Sequence, residues 1–168
     1  MKKVTLSILV DNTSGVLNRV AGLFSRRGYN IDSLTVGETA DPLFSRMTIV
    51  VHGDDEILEQ IVKQIYKLVD IRQIDILEDG KSVCRELVLV KVAATAQDRQ
   101  QVIAIADIFR SKIVDVAKDS LIIEITGNQE KISAFIGLLD GFEILQLART
   151  GITGLSRGAG SGDTLFEK

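Results

Sequence analysis

Apolar positions along this chain alternate between two spacings. From Val4 to Val10 the run V-T-L-S-I-L-V is alternating and β-branched, the pattern of a half-buried strand. From Val16 the spacing becomes helical, with Val16, Leu17, Val20, Leu23 and Phe24 on one face of a helix that runs to Arg27 and stops at Gly28. A strand Y-N-I-D-S-L-T-V follows, then a break G-E-T-A-D-P-L holding the single proline, then a strand S-R-M-T-I-V-V-H that ends at Gly53. The next helix carries Ile57, Leu58, Ile61, Val62, Ile65 and Leu68 as a stripe beneath an acidic first turn, and V-D-I-R-Q-I-D-I-L closes the series. The predicted order is βαββαβ.

After the polar break E-D-G-K-S the same order returns: E-L-V-L-V-K-V-A, a helix from about Gln97 to Phe109, I-V-D-V-A, S-L-I-I-E-I-T-G, a helix E-K-I-S-A-F-I-G-L-L, and F-E-I-L-Q-L-A. L-F-S-R-R-G-Y-N-I-D matches I-F-R-S-K-I-V-D-V, and V-H-G-D-D-E-I-L matches I-T-G-N-Q-E-K-I, with Gly53 and Gly127 equivalent. The expected fold is α+β: two ferredoxin-like βαββαβ units, each an antiparallel sheet with its helices on one face. Residues 1–78 form the first unit, 79–84 a linker, 85–150 the second unit and 151–168 a Gly-rich C-terminal tail. Leu87 and Leu89 give the second sheet an apolar outer face as well as an inner one, and that face calls for a cover.

The 168 residues are 45% hydrophobic, enough for packed cores, and the net charge of -3 without a basic cluster longer than Arg26-Arg27 argues against nucleic acid or an anionic membrane as the main partner. M-K-K-V-T-L-S runs straight into a strand, so the cytoplasm is the expected compartment. His52 is the only histidine and reads as a strand-end polar residue; Cys84, the only cysteine, cannot form an internal disulfide. Neither a catalytic constellation nor a metal cluster emerges. R-G-A-G-S-G-D near the end does not open a helix as a dinucleotide loop must, and the central strands V-T-L-S-I-L and R-M-T-I-V-V lack the aromatics of an RNA-binding sheet.

One turn does suggest binding. In D-N-T-S-G-V-L, Gly15 lets another molecule approach the first-turn amides, which favour a carboxylate, while Asn12 offers an acceptor to an ammonium group; together these describe an amino acid. One of Asn12, Thr13 and Ser14 can also cap the helix, and the alternative reading is that Asn12 merely caps it and Gly15 merely packs. The second copy has Q-D-R-Q at the start of its helix, so a ligand held this way belongs to the first copy alone.

At S-I-L-V-D-N-T-S-G-V-L-N-R-V-A-G-L-F-S-R-R-G-Y-N-I-D-S-L-T-V-G, at S-R-M-T-I-V-V, at R-E-L-V-L-V-K-V and at A-R-T-G-I-T-G-L-S-R-G, the chain resembles the ACT-domain regulatory (small) subunits of acetohydroxyacid synthase, also called acetolactate synthase. N-x-S-G-V-L alone indicates only a generic ACT domain, whereas R-R-G-Y-N-I-D-S-L-T-V with the second unit is specific to these subunits. The resemblance implies an N-terminal ACT domain for effector sensing and dimerisation and a second, ACT-like domain. It implies a subunit with no catalytic residue or metal site of its own, which activates a catalytic large subunit in branched-chain amino acid biosynthesis. Thiamine diphosphate, FAD and Mg would belong to that large subunit. Feedback inhibition by valine, or another branched-chain amino acid, would act through Asn12, Thr13, Ser14, Gly15 and Val16 of one chain with Asn30 and Ile31 of its homodimer mate. A free-standing amino-acid sensor without an enzyme partner is the alternative.

Overall fold

Strand and helix periods along the sequence translate into two βαββαβ series in a computed structural model, which describes residues 1–159. The first comprises β1 (Lys2–Asp11), α1 (Val16–Arg26), β2 (Ile31–Glu38), β3 (Phe44–Gly53), α2 (Asp55–Tyr66) and β4 (Ile71–Leu77). The second comprises β5 (Ser82–Ala93), α3 (Arg99–Ile108), β6 (Lys112–Val116), β7 (Ser120–Gly127), α4 (Gln129–Leu138) and β8 (Ile144–Arg149); β9 (Thr153–Ser156) follows. Sheet orders are β2-β3-β1-β4 and β6-β7-β5-β8, with antiparallel neighbours, so both units have the ferredoxin-like topology.

In the first unit Leu6, Ile8 and Val10 of β1 and Met47, Ile49 and Val51 of β3 share the face that packs on Val20 and Phe24 of α1 and Ile61 and Ile65 of α2. In the second, Val88, Val90 and Val92 of β5 pack with Ile123 and Ile125 on Val102 of α3 and Phe135 of α4, whose ring meets Phe109 edge-on at 5.5 Å. Helix starts follow the repeat. Asp54 accepts from the Ile57 N–H at 2.9 Å and Asn128 from the Lys131 N–H at 2.9 Å, each one residue beyond the matched glycines Gly53 and Gly127.

The two outer faces differ. Across the first sheet the residues facing away from the helices include buried Ser7, Thr48 and Gln73 beside Leu9 and Val50. Across the second they include half-buried Leu87 and Ile122, with Leu89 38% exposed.

Two expectations change. The supposed linker is a tight turn, closed by the Lys81 N–H on Glu78 O at 3.1 Å with Gly80 at φ +77°, and β5 already begins at Ser82. Nor is residue 151 onward simply a tail. The Ile152 N–H donates to Ser33 Oγ at 2.9 Å, Ile152 O accepts from Thr35 Oγ1 at 3.1 Å, β9 lies against β3 and β4, and the Arg157 N–H donates to Lys81 O at 2.8 Å. A glycine-rich segment alone has no reason to order; here its backbone meets hydroxyls on a polar sheet face. Residues Met1–Val83 with 152–159 form one compact unit and Cys84–Gly151 the other. The rest of the expected tail, from residue 160, lies outside the described residues. Among the described residues no helix is long and apolar enough to cross a membrane.

Candidate effector site

The turn from β1 to α1 is set by two backbone hydrogen bonds that carry the chain off the sheet: the Asp11 N–H donates to Asp70 O at 2.9 Å and the Asn12 N–H to Leu43 O at 2.8 Å. Gly15 stands at the helix start with φ +85°, the left-handed region that glycine enters at no steric cost. No side chain caps α1, and its first turn holds no acid. The expected cap from Asn12, Thr13 or Ser14 is therefore corrected. Asn12 reaches away from the helix instead, donating from Nδ2 to Pro42 O at 2.9 Å and to Glu38 Oε2 at 3.2 Å. Both amide protons are engaged, which turns Oδ1, an acceptor, to other partners. Thr13 and Ser14 are exposed, whereas Val16 is buried in the first core and offers the turn only its backbone.

A cation that sequence reading missed stands over this turn. Arg19 is one helical turn beyond Gly15 and grips buried Asp70 with two bonds, Nε to Oδ2 at 2.6 Å and Nη2 to Oδ1 at 3.0 Å. Its third nitrogen, Nη1, lies 2.9 Å from where a Cβ on Gly15 would sit. Hydrogen bonding to Arg19 holds the Asp70 carboxyl below the usual carboxylate range. A second fork, Arg72 on Asp11 (Nε to Oδ1 2.7 Å, Nη2 to Oδ2 2.8 Å), pins the end of β1 to β4. The only sequence cue to Arg19 was its i+4 spacing from Gly15; its partner Asp70 is 51 residues away.

Asn30 and Ile31 are elsewhere. Ile31 pairs with Val51, which pairs with Val4, whereas Glu38 pairs with Ser45, which pairs with Val10. Within one chain the Asn30 end of β2 is thus separated from the Asn12 turn by the length of the strand, about 23 Å at roughly 3.3 Å per residue. Asn30 is exposed and donates to Asp32 Oδ1 at 3.2 Å, Ile31 packs on the first core, and Asp32 hydrogen-bonds His52 at the end of β3. One chain brings Asn12, Gly15 and Arg19 together and leaves Asn30 and Ile31 apart.

The second unit repeats the backbone but not the chemistry. There the Ala93 N–H donates to Glu143 O at 2.9 Å and the Ala94 N–H to Asp119 O at 3.0 Å, so Ala94 occupies the place of Asn12. The segment equivalent to Asn12–Gly15 thus begins at Ala94, earlier than the Q-D-R-Q match suggested.

Two family models match the chain in turn. Residues 6–73 match the family described as the AHAS small subunit-like ACT domain, and residues 85–158 match the family described as the small subunit of acetolactate synthase. The chain is 52% identical over 155 residues to the probable acetolactate synthase small subunit of Methanothermobacter thermautotrophicus, covering 92% of each chain. The chain belongs to the acetolactate synthase small-subunit family. It is 47% identical to the isozyme 3 small subunit of Escherichia coli, covering 91% of this chain and 94% of that one. A solved acetolactate synthase small subunit, from Thermotoga maritima, superposes with a TM-score of 0.87 at 43% identity, covering 95% of this chain and 99% of that one. Membership assigns the chain a regulatory part in an acetolactate synthase holoenzyme, and a small subunit implies a catalytic large one.

Proposed function

We propose that the first unit senses a branched-chain amino acid, valine foremost, at the junction of two copies of the chain, and that occupancy switches the catalytic subunit of acetolactate synthase from activated to inhibited. One observation carries this reading. The α1 N-terminus is left without cap or acid at Gly15, next to the third nitrogen of an arginine fixed by Asp70. First-turn amides have no intrahelical acceptor and face the positive end of the helix dipole. A ligand carboxylate between those amides and Arg19 Nη1 neutralises both. Its ammonium group then meets Asn12 Oδ1.

The remaining partners come from the mate. β2 is the outer strand of its sheet, and an antiparallel β2–β2 pairing brings the Glu38 end of one copy, to which Asn12 is bonded, beside the Asn30–Ile31 end of the other. Exposed Leu17, Val36 and Leu43 border the same turn and supply an apolar wall. Burying an isopropyl group contributes about 1.5 to 3 kcal/mol, and charge-assisted hydrogen bonds about 1.5 to 3 kcal/mol each. Less the cost of immobilisation, this gives a Kd of about 10 µM to 1 mM, a range suited to sensing a metabolite. Because the ligand touches two chains, it favours one mutual arrangement over another, as allostery requires.

On this reading thiamine diphosphate, FAD and Mg belong to the large subunit and not to this chain. Calorimetric titration of the purified chain with valine, beside Asn12→Ala, tests the sensor: binding in that range, lost in the variant, is expected. A wild-type chain that bound no branched-chain amino acid, alone or with the large subunit, would sink the reading. Purified chain that failed to join any acetolactate synthase large subunit yet bound valine would support the free-standing sensor instead.

A further inference from the structure

The strand whose ends belong to the proposed site is also the strand that holds the C-terminal segment. Ser33 and Thr35 lie between Ile31 and Glu38 on β2, on the face turned away from the helices. Their hydroxyls take both backbone polar groups of a single residue 119 and 117 positions on, Ser33 Oγ accepting the Ile152 N–H and Thr35 Oγ1 donating to Ile152 O. A slip of the segment by one residue breaks both bonds together. From Ile152 the chain continues as β9 against β3 and β4, and the Arg157 N–H closes on Lys81. The segment is therefore a strap fixed at β2 and again at the entry to β5.

The sheet face under this strap offers Thr35 a second partner. Thr35 is paired with Thr48, Thr48 with Ser7, and Ser7 with Asp75, a polar row that runs from β2 to β4. Within it the buried Thr48 Oγ1 has no hydrogen-bond partner among the described residues. Directly opposed threonines on neighbouring strands are within reach of a mutual hydrogen bond. The single Thr35 hydroxyl proton thus has two acceptors to choose between: Ile152 O, with the strap closed, or Thr48 Oγ1, with the strap released and that buried oxygen paired.

We propose that Ser33 and Thr35 form the clasp through which effector occupancy is transmitted: ligand at the ends of β2 shifts that strand, and the shift decides whether the strap is held. The inference rests on the sensor reading above. It needs no contact between effector and strap, only a strand common to both and two hydrogen-bond states for the effector to bias.

The test uses the reconstituted holoenzyme and the S33A/T35V double variant, which deletes both hydroxyls outside the binding turn. Expected are valine affinity within about threefold of wild type, loss of most of the inhibition even at saturating valine, and basal activation retained. Thr35→Ser alone, which keeps the hydroxyl, should retain most of the inhibition. Amide exchange at Ile152 should be slow in wild type and faster in Ser33→Ala, a reading that stands even if the double variant folds poorly. Inhibition unchanged in the double variant overturns the clasp, as does an Ile152 amide that exchanges equally fast in wild type. Loss of valine binding by the folded variant also overturns it, by placing the hydroxyls in the binding site itself. If wild type binds no valine, the sensor reading fails first and the clasp falls with it.

Discussion

After β1 and after β5 the chain leaves its sheet through equivalent pairs of backbone hydrogen bonds, yet the side chains at the two exits have opposite electrostatics. At the first exit stand Asn12, Gly15 and Arg19, and the helix start carries no acid of its own. At the second, Ala94 replaces the asparagine, Asp98 occupies the N-cap position, and the adjoining depression is lined by Asp98, Asp119, Asp140 and Glu143 against a single Lys118. Thr95 Oγ1 donates to Asp98 Oδ2 at 2.8 Å, holding that carboxylate at the α3 start. Neither helix start has a side-chain capping bond, but α3 carries the Asp98 carboxylate at its N-cap position, where α1 has only Gly15. On the proposed reading, a repeated fold yields one turn whose charge suits an amino acid's carboxylate and one whose charge opposes it. The backbone is shared, and the difference lies in a few side chains.

The comparison breaks most sharply at Gly15. Gly15→Asp adds a carboxylate where the ligand's own is expected and places a Cβ 2.9 Å from Arg19 Nη1 on a residue at φ +85°. Valine inhibition of the holoenzyme should vanish, with affinity down by at least about a hundredfold, while activation is largely kept. Gln97→Asp in the second unit should leave both unchanged. Lost activation with kept valine sensitivity would contradict the assignment.

Next in size is Arg19→Gln, which removes the fixed cation and should weaken valine about ten- to a hundredfold in calorimetry. Asp70→Asn leaves the cation but loosens it, with a loss of about tenfold. The Asp70 pair also has a pH signature. Its carboxyl titrates lower in the folded chain than in the unfolded one, so its stabilisation is complete above about pH 4 and is lost as pH falls through the lowered value. Urea midpoints of wild type and Asp70→Asn should therefore differ at pH 7 and converge below about pH 4. A gap that stayed constant across that range would deny the pair its role. The smallest effect is expected from Ala94→Asn: restoring the amide to the second turn, among four acids, should change valine binding less than about twofold.

Period-two and helical spacing placed β1, α1, β3, β7 and both pairs of helices, because burial on one face of an element leaves its mark locally. What escaped was non-local. Asn12 looked like a cap because asparagine before a helix usually is one; its actual partners, Glu38 and Pro42, are 26 and 30 residues ahead. Nothing local marked Arg19, whose partner Asp70 lies 51 residues on. The strap was hidden by its composition: its hold comes from hydroxyls far upstream, and its own Leu155 is exposed. The wish for a cover over the second sheet came from the apolar parity of Leu87 and Leu89, and β8 proves exposed at all six positions, with Leu145 and Leu147 among them.

The most direct test of the difference between the two turns is amide hydrogen exchange across the whole chain in the holoenzyme, with and without saturating valine. Added protection at residues 12–19 and 30–38, with residues 94–102 unchanged, is the predicted result. Protection at the second turn, or none at the first, would contradict the claim that only the first unit senses the effector.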